Sequence, residues 1–134
     1  MKTLSILIPV FNEEATISTV LDKIENVKLQ SGLAKEIIVI DDGSSDNSNA
    51  IVQKYISKNR HQKIRLISHK LNKGKGTAIQ SGISLASGEY LIIQDADLEY
   101  DPEEYNLLLT PILKGVADVV YGSRFKGSNP YRIL

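Results

Sequence analysis

The sequence predicts an α/β protein built on a mostly parallel sheet with helices on both faces. Three observations carry that expectation. Short apolar runs rich in β-branched residues alternate along the chain with segments of helical periodicity. The runs are continuous rather than alternating, as strands covered on both faces are. The distinctive polar clusters follow the runs, at the carboxyl ends of strands, where open parallel sheets bind ligands.

The first strand is expected at 4–10, a run containing Pro9. Asn12-Glu13-Glu14 reads as an N-cap and acidic first turn for a helix carrying Ile17, Val20, Leu21 and Ile24. After the Ser31-Gly32 break, 36–40 is a second strand ending at Asp41-Asp42-Gly43-Ser44. Ser45 or Asp46 then caps a helix with Ile51, Val52, Tyr55 and Ile56 on one face. A short third strand at 64–67 leads to a loop with Gly74 and Gly76. Next comes a helix through Ala78, Ile79, Ile83 and Ala86, closed by Ser87-Gly88. The fourth strand is 90–94. Asp101-Pro102-Glu103-Glu104 starts a helix that runs to about Leu113, with Pro111 bending it or opening its last turn. A fifth strand at 118–121 leads to Gly122-Ser123-Arg124-Phe125.

At 134 residues the chain is expected to be one domain, spanning 1–134. Its 42% hydrophobic and 24% charged residues are ordinary for a globular protein. With no Cys, disulfides and thiolate metal sites are excluded. No apolar run approaches the ~20 residues that span a bilayer, and the start of the chain lacks signal-peptide organisation, so a cytoplasmic location is expected. Net charge is zero but unevenly spread. No Asp or Glu occurs between Asp46 and Glu89, an interval holding Lys54, Lys58, Arg60, Lys63, Arg65, Lys70, Lys73 and Lys75. Acidic residues crowd the stretch from Glu89 to Asp118. Such blocks are either solvated faces or a basic side for phosphates or an anionic membrane surface, beside an acidic metal site.

The sharpest local feature is Asp95-Ala96-Asp97, directly after the fourth strand. Two carboxylates separated by one small residue can approach a hard cation, and Glu99 stands near enough to add a third oxygen. Mg²⁺ is commonly held by one or two carboxylates plus substrate phosphates. A lone Asp-x-Asp is equally a solvated acidic turn. Here Asn12-Glu13 follows strand one, Asp41-Asp42 strand two, Asp95 and Asp97 strand four, and Arg124 strand five. If strand one lies between strands two and four, these groups converge on one crevice.

Other nucleotide chemistries fit less well. The turn after strand one has no glycine, so a dinucleotide-binding G-x-G-x-x-G loop is absent. Gly74-Lys75-Gly76-Thr77 has P-loop residue types in the wrong spacing, although it suits close approach to an anion. A receiver domain would carry its acidic pair after strand one. An Asp-x-Asp phosphatase would place that motif early, with a second pair downstream. Both stay open as competing readings, as does a non-catalytic nucleotide-binding module.

Taken together, Ile8-Pro9-Val10-Phe11-Asn12-Glu13-Glu14, Val39-Ile40-Asp41-Asp42-Gly43-Ser44-Ser45-Asp46, Asn72-Lys73-Gly74-Lys75-Gly76 and Gln94-Asp95-Ala96-Asp97-Leu98 resemble glycosyltransferase family 2, the inverting GT-A group. With Val120-Tyr121-Gly122-Ser123-Arg124-Phe125, the chain is most similar to polyprenyl-phosphate sugar transferases of the dolichyl-phosphate mannose synthase type. The resemblance implies a GT-A fold, truncated at its C-terminus, forming the nucleotide-sugar-binding part of a longer glycosyltransferase. It implies that Pro9, Phe11 and Glu13 border the nucleoside, with Phe11 where the family usually has Tyr. Asp41 would hydrogen-bond the base, and Lys75 would lie near the nucleotide. Asp95 and Ala96 would contact the donor, and Asp97, the catalytic residue, would bind the metal directly. Asp95 and Glu99 would complete the metal set, Glu99 standing where relatives often carry Gln. Arg124 would approach the diphosphate or the acceptor phosphate.

The implied cofactor is Mg²⁺ or Mn²⁺. The implied donor is a UDP- or GDP-linked sugar, and the acceptor a polyprenyl or dolichyl phosphate or a glycan hydroxyl. No nucleic-acid partner is implied, and the setting is the cytoplasm or the inner face of the cell membrane, with peripheral contact. A metal ion would stabilise charge on the leaving diphosphate. A lipid phosphate is already ionised and needs no protein base, whereas a sugar hydroxyl needs a carboxylate base from elsewhere.

Overall fold

A computed structural model describes residues 2–115, 120–123 and 130–133. In chain order the elements are β1 (Thr3–Val10), α1 (Ile17–Asn26), β2 (Ala34–Asp42), α2 (Ser48–Lys58), β3 (Ile64–His69), α3 (Lys75–Leu85), β4 (Tyr90–Ile93), α4 (Tyr105–Leu113), β5 (Val120–Ser123) and β6 (Pro130–Ile133). They form one sheet in the order β3-β2-β1-β4-β6-β5. β1 pairs in parallel with β2 on one side and β4 on the other, as the converging polar groups require. The order reverses between β1 and β4, which opens a crevice beyond their carboxyl ends.

β6 was not expected. It lies antiparallel between β4 and β5, so the last residues are sheet rather than tail. Four residues are too few to display a period, which is why the pattern did not announce it. Asp118, expected in the fifth strand, lies outside the described residues, as does Arg124.

The two faces of the sheet carry separate cores. On the first, Ile17, Leu21 and Ile24 of α1, Val52 and Tyr55 of α2 and Leu109 of α4 pack on Ile6, Ile8, Ile37, Val39 and Ile92. On the second, Leu7, Ile38 and Ile40 meet Ala78 and Gly82 as the buried residues of α3. α3 packs through small residues: a Cβ added at Gly82 would come within 2.8 Å of the Ile40 Cδ1. Ile83, expected on the packing face, is 45% exposed.

Several helix starts differ from expectation. α1 begins at Ile17, not near Asn12, because Asn12 adopts φ 53° and turns the chain before the helix. α3 begins at Lys75, so the expected loop residues Lys75 and Gly76 form its first turn behind Gly74. Asn47 takes the N-cap position of α2, one residue beyond the expected Ser45 or Asp46, while Asp46 Oδ1 accepts from the Ser48 N–H at 2.9 Å. Asp101 likewise accepts from the Glu103 N–H at 3.0 Å, opening a 3₁₀ turn (Pro102–Glu104) that feeds α4. Pro111 sits inside that helix, which continues to Leu113.

Candidate functional site

The crevice is built from the ends of β1, β2 and β4 and the first turn of α3. At the end of β1 the chain is stitched to the loop after β2. The Asn12 side-chain oxygen accepts from the N–H groups of Ser45 (2.8 Å) and Asp46 (3.2 Å). The Asn12 N–H donates to the Ser44 hydroxyl and the Glu13 N–H to the Ser48 hydroxyl. Much of the polar run after β2 thus fixes the β1 loop. Phe11, 48% exposed, is left at the crevice with Glu13.

At the end of β2 the two aspartates diverge, since neighbouring strand residues point to opposite faces. Asp41 accepts from the Ser44 N–H (3.1 Å) and the Asn49 side-chain amide (2.8 Å), and does not line the crevice. Asp42 does line it. β2 runs on through Asp42, and strand alternation sends Asp42, rather than Asp41, toward α3 and the crevice. Asp42 accepts from the ring Nδ1 of His69 (2.9 Å) and the N–H groups of Lys73 (2.9 Å) and Gly74 (2.8 Å). Burial works against its charge, but these donors outweigh it and hold the carboxyl below its usual range. Gly43 makes the approach possible, because a Cβ there would lie 2.6 Å from the Asn72 backbone nitrogen.

At the end of β4, the N–H of Gln94 donates to the Leu7 carbonyl at 2.8 Å and carries the ladder one residue further. Asp95 pairs with the Lys75 ammonium at 2.5 Å, joining α3 to β4 across the crevice. The Ala96 carbonyl accepts from the Thr16 hydroxyl (2.7 Å), and Asp97 Oδ1 accepts from the Glu99 N–H (3.0 Å). Burial first, then the charges of Asp97, Asp46 and Asp95, lift the Glu13 carboxyl above its usual range despite the Thr16 hydroxyl. Negative charge is concentrated here.

Among the described residues, no three acidic or histidine side chains assemble as a ready metal cage. The expected Asp95, Asp97 and Glu99 set is therefore not preformed: Lys75 engages one oxygen of Asp95, and Asp97 accepts from the Glu99 backbone. The donors present still suit a hard divalent cation. They are carboxylates, they repel one another at Glu13, and such a cation takes only one or two of them when phosphates supply the rest.

The crevice has a volume of about 540 Å³. Of the expected residues, Pro9, Phe11, Glu13 and Lys75 line it, as do Asp95, Ala96, Asp97 and Glu99. Asp42, which the strand-end reading brings to the crevice with Asp41, also lines it, as do Asn72 and Ala78, which were not anticipated as site residues. Asn72 and Asp42 were within reach of the motifs; their roles depend on a loop returning to β2 from some thirty residues away.

The sheet order and the acid-lined crevice define an α/β protein of the GT-A class. Residues 5–132 match the family model for glycosyl transferase family 2, and the chain belongs to that family. It is 36% identical over 129 residues to a dolichyl-phosphate beta-glucosyltransferase of Dictyostelium discoideum, covering 90% of this chain and 39% of the relative. It is 36% identical over 116 residues to an undecaprenyl-phosphate 4-deoxy-4-formamido-L-arabinose transferase of Pseudomonas aeruginosa, covering 87% and 34% respectively. The chain thus spans 39% or less of these curated relatives. S. aureus TarS 1-349 in complex with UDP-GlcNAc shares the fold, with a TM-score of 0.73 at 24% identity over 87% of this chain and 33% of that one. Glucosyl-3-phosphoglycerate synthase of Mycobacterium tuberculosis, solved with Mn²⁺, UDP and phosphoglyceric acid, superposes with a TM-score of 0.65 at 30% identity, covering 84% and 39%.

Proposed function

We propose that this chain is the donor-binding domain of an inverting glycosyltransferase that moves a sugar from a nucleotide diphosphate to a polyprenyl phosphate. One observation carries the reading. Asp95, Asp97, Lys75 and Asp42 come from two strand ends and one helix start, yet line a single crevice at the sheet's switch point. The polyprenyl-phosphate relatives supply the acceptor class, and the Mn²⁺- and UDP-bound neighbour supplies the metal and nucleotide class.

In this reading Phe11 and Pro9 offer an apolar surface to the nucleoside. Asp42 takes the role expected of Asp41 at the base, and Lys75 and Arg124 approach phosphate oxygens. A Mg²⁺ or Mn²⁺ ion held by Asp97, with Asp95 and Glu99 as further oxygen donors, would neutralise the leaving diphosphate. The bond from the sugar C1 to the diphosphate oxygen breaks as an acceptor phosphate oxygen bonds C1 from the opposite face. That oxygen is already ionised, so no base from this domain is needed. No helix among the described residues is long and apolar enough to cross a membrane. Contact with the inner membrane face is assigned to the basic interval, in which Lys63 and Arg65 are paired with Glu36.

Calorimetry with Mn²⁺ and UDP or GDP tests the donor site. Metal-dependent nucleotide binding is expected; Asp97→Ala removes the metal dependence and Glu99→Gln changes it little. No metal-dependent binding of either nucleotide would reject the reading. The acceptor is tested by supplying the longer protein that carries this domain with radiolabelled nucleotide sugars and a polyprenyl phosphate. Label found only in water-soluble glycan would replace the lipid acceptor with a glycan hydroxyl.

A further inference from the structure

We propose that Gln94 is a positioning residue: its buried side-chain amide clamps both ends of the Asp95–Tyr100 loop, and so sets where the Asp95 and Asp97 carboxylates stand. The inference rests on the proposed function only for what those carboxylates bind.

Gln94 ends the apolar run of β4 and is 1% exposed. Its Nε2 donates to two carbonyls of the loop, Asp95 at 3.2 Å and Tyr100 at 3.2 Å. One amide group therefore ties the first residue of the loop to its sixth. The other end of the amide is equally defined. Gln94 Oε1 accepts from the Tyr105 hydroxyl at 2.6 Å, a bond buried between β4 and α4. Two carbonyls on one side demand the NH₂ there, and a phenol that donates demands the oxygen opposite, so only one amide orientation satisfies every partner. Burial, reinforced by Asp101, pushes the Tyr105 phenol well above its usual range and keeps it a donor.

The rest of the loop is held in the same manner. The Thr16 hydroxyl takes the Ala96 carbonyl, and Asp97 takes the Glu99 N–H. None of these bonds uses Asp97 Oδ2 as a loop tether. The loop's geometry is thus set from beneath by Gln94, Tyr105 and Thr16. Groups that act on a metal through its ligands typically change affinity 10–100-fold when removed.

The test compares Gln94→Met, Tyr105→Phe and the double variant with wild type, by Mn²⁺ binding with UDP or GDP, thermal unfolding and hydrogen exchange. Gln94→Met keeps the side-chain length and removes both donors, so Mn²⁺ affinity should fall about 10-fold or more. It also strands the Tyr105 hydroxyl, so stability falls. The double variant removes the stranded hydroxyl and recovers stability while Mn²⁺ affinity stays low; a merely structural role predicts that the two recover together. Independently of any ligand, amide exchange in residues 95–100 should rise in Gln94→Met while β1 and β2 keep their protection. Loop exchange equal to wild type overturns the clamp. Mn²⁺ affinity that tracks stability through all three variants overturns the positioning role. If wild type binds no Mn²⁺ with either nucleotide, the proposed function fails, and the exchange data still decide the clamp.

Discussion

On one face of the sheet α1, α2 and α4 press large side chains, among them Leu21, Ile24 and Leu109, onto β1, β2 and β4. On the other face α3 brings Ala78 and Gly82, residues with little surface to bury. The second helix is held by carboxylates instead, both from β2 and both buried. Near the start of β2, Glu36 accepts from the Ser87 N–H (2.8 Å) and the Ser87 hydroxyl (2.8 Å), beyond the C-terminal end of α3, and from the Ser5 hydroxyl (2.7 Å). It also pairs with Lys63 at 3.0 Å and Arg65 at 3.4 Å, and Arg65 in turn donates to the Leu85 carbonyl. At its far end, Asp42 holds Lys73 and Gly74 and, through His69, reaches the Ser81 hydroxyl.

The six steps from Glu36 to Asp42 span about 20 Å at ~3.3 Å per residue, close to the length of α3 with its flanking residues at ~1.5 Å per residue. Each carboxylate therefore meets one end of the helix. Apolar contact is non-directional and sets how stable a helix is; hydrogen-bonded carboxylates are directional and set where it lies. The helix placed by direction is the one that carries Lys75 into the crevice.

The largest effect separates the faces by stability. Leu109→Ala empties a fully buried position on the apolar face and should cost about 2–5 kcal/mol in chemical denaturation. Nucleotide affinity per folded molecule should stay unchanged. A fall in affinity beyond the unfolded fraction would mean that the apolar face also positions the site.

Next is the acid response of the polar face. Burial alone would raise the Glu36 carboxyl, but the Ser87 and Ser5 donors and Lys63 bring it down to about 2. A depressed folded-state value stabilises above the unfolded value near 4.5 and is lost as pH falls from there toward 2. The contribution is about 3 kcal/mol at neutral pH. Urea midpoints measured from pH 6 to pH 2.5 should fall more steeply in wild type than in Glu36→Gln. Parallel curves would remove Glu36 as the acid-sensitive anchor.

A smaller, more local effect belongs to Asp42→Asn. The amide can accept at one end only, so either the Gly74 N–H or the His69 ring and the Lys73 N–H together lose their acceptor, at about 1–3 kcal/mol for a buried group left unpaired. Hydrogen exchange at 72–75 should rise while α1 stays protected. Equal exchange at both would show that α3 does not depend on this anchor.

The apolar face was legible in the sequence because its signals are local. Ile17, Val20, Leu21 and Ile24 follow helical spacing, and 90–93 is a plain apolar run with acid two residues beyond it. The crevice was legible through strand ends, which placed Glu13, Asp42, Asp95 and Asp97 together, while Lys75 was legible through its Gly-Lys-Gly segment. The polar face was not legible, because its partners are distant in the chain. Glu36 meets Ser5 and Ser87, 31 and 51 residues away, and each reads locally as an ordinary strand or turn residue. Asn12 read as a helix cap because its true partners, Ser45 and Asp46, belong to another loop. Which of Asp41 and Asp42 lines the crevice was hidden for a subtler reason: the choice between two adjacent strand residues depends on how far the strand runs, and β2 ends at Asp42.

The smallest effect on stability, and the sharpest on function, is expected at Lys75. Its side chain is 57% exposed, so the pair with Asp95 should contribute no more than about 1 kcal/mol to folding. In the ligand-free protein, however, Lys75 neutralises a carboxylate that the proposed function gives to the cation. The same ammonium is the first residue of a helix whose position Asp42 and Glu36 dictate. Removing its charge leaves Asp95 without a counter-ion, which favours a divalent ion, and takes a positive group away from the diphosphate, which disfavours the nucleotide. Lys75→Gln should therefore bind Mn²⁺ alone several-fold more tightly and metal-free UDP or GDP several-fold more weakly, with the melting temperature nearly unchanged. Calorimetry of the two ligands separately reads both signs. If both affinities fall together, Lys75 only braces the crevice wall, and the directional placement of α3 by β2 serves structure rather than charge exchange at the site.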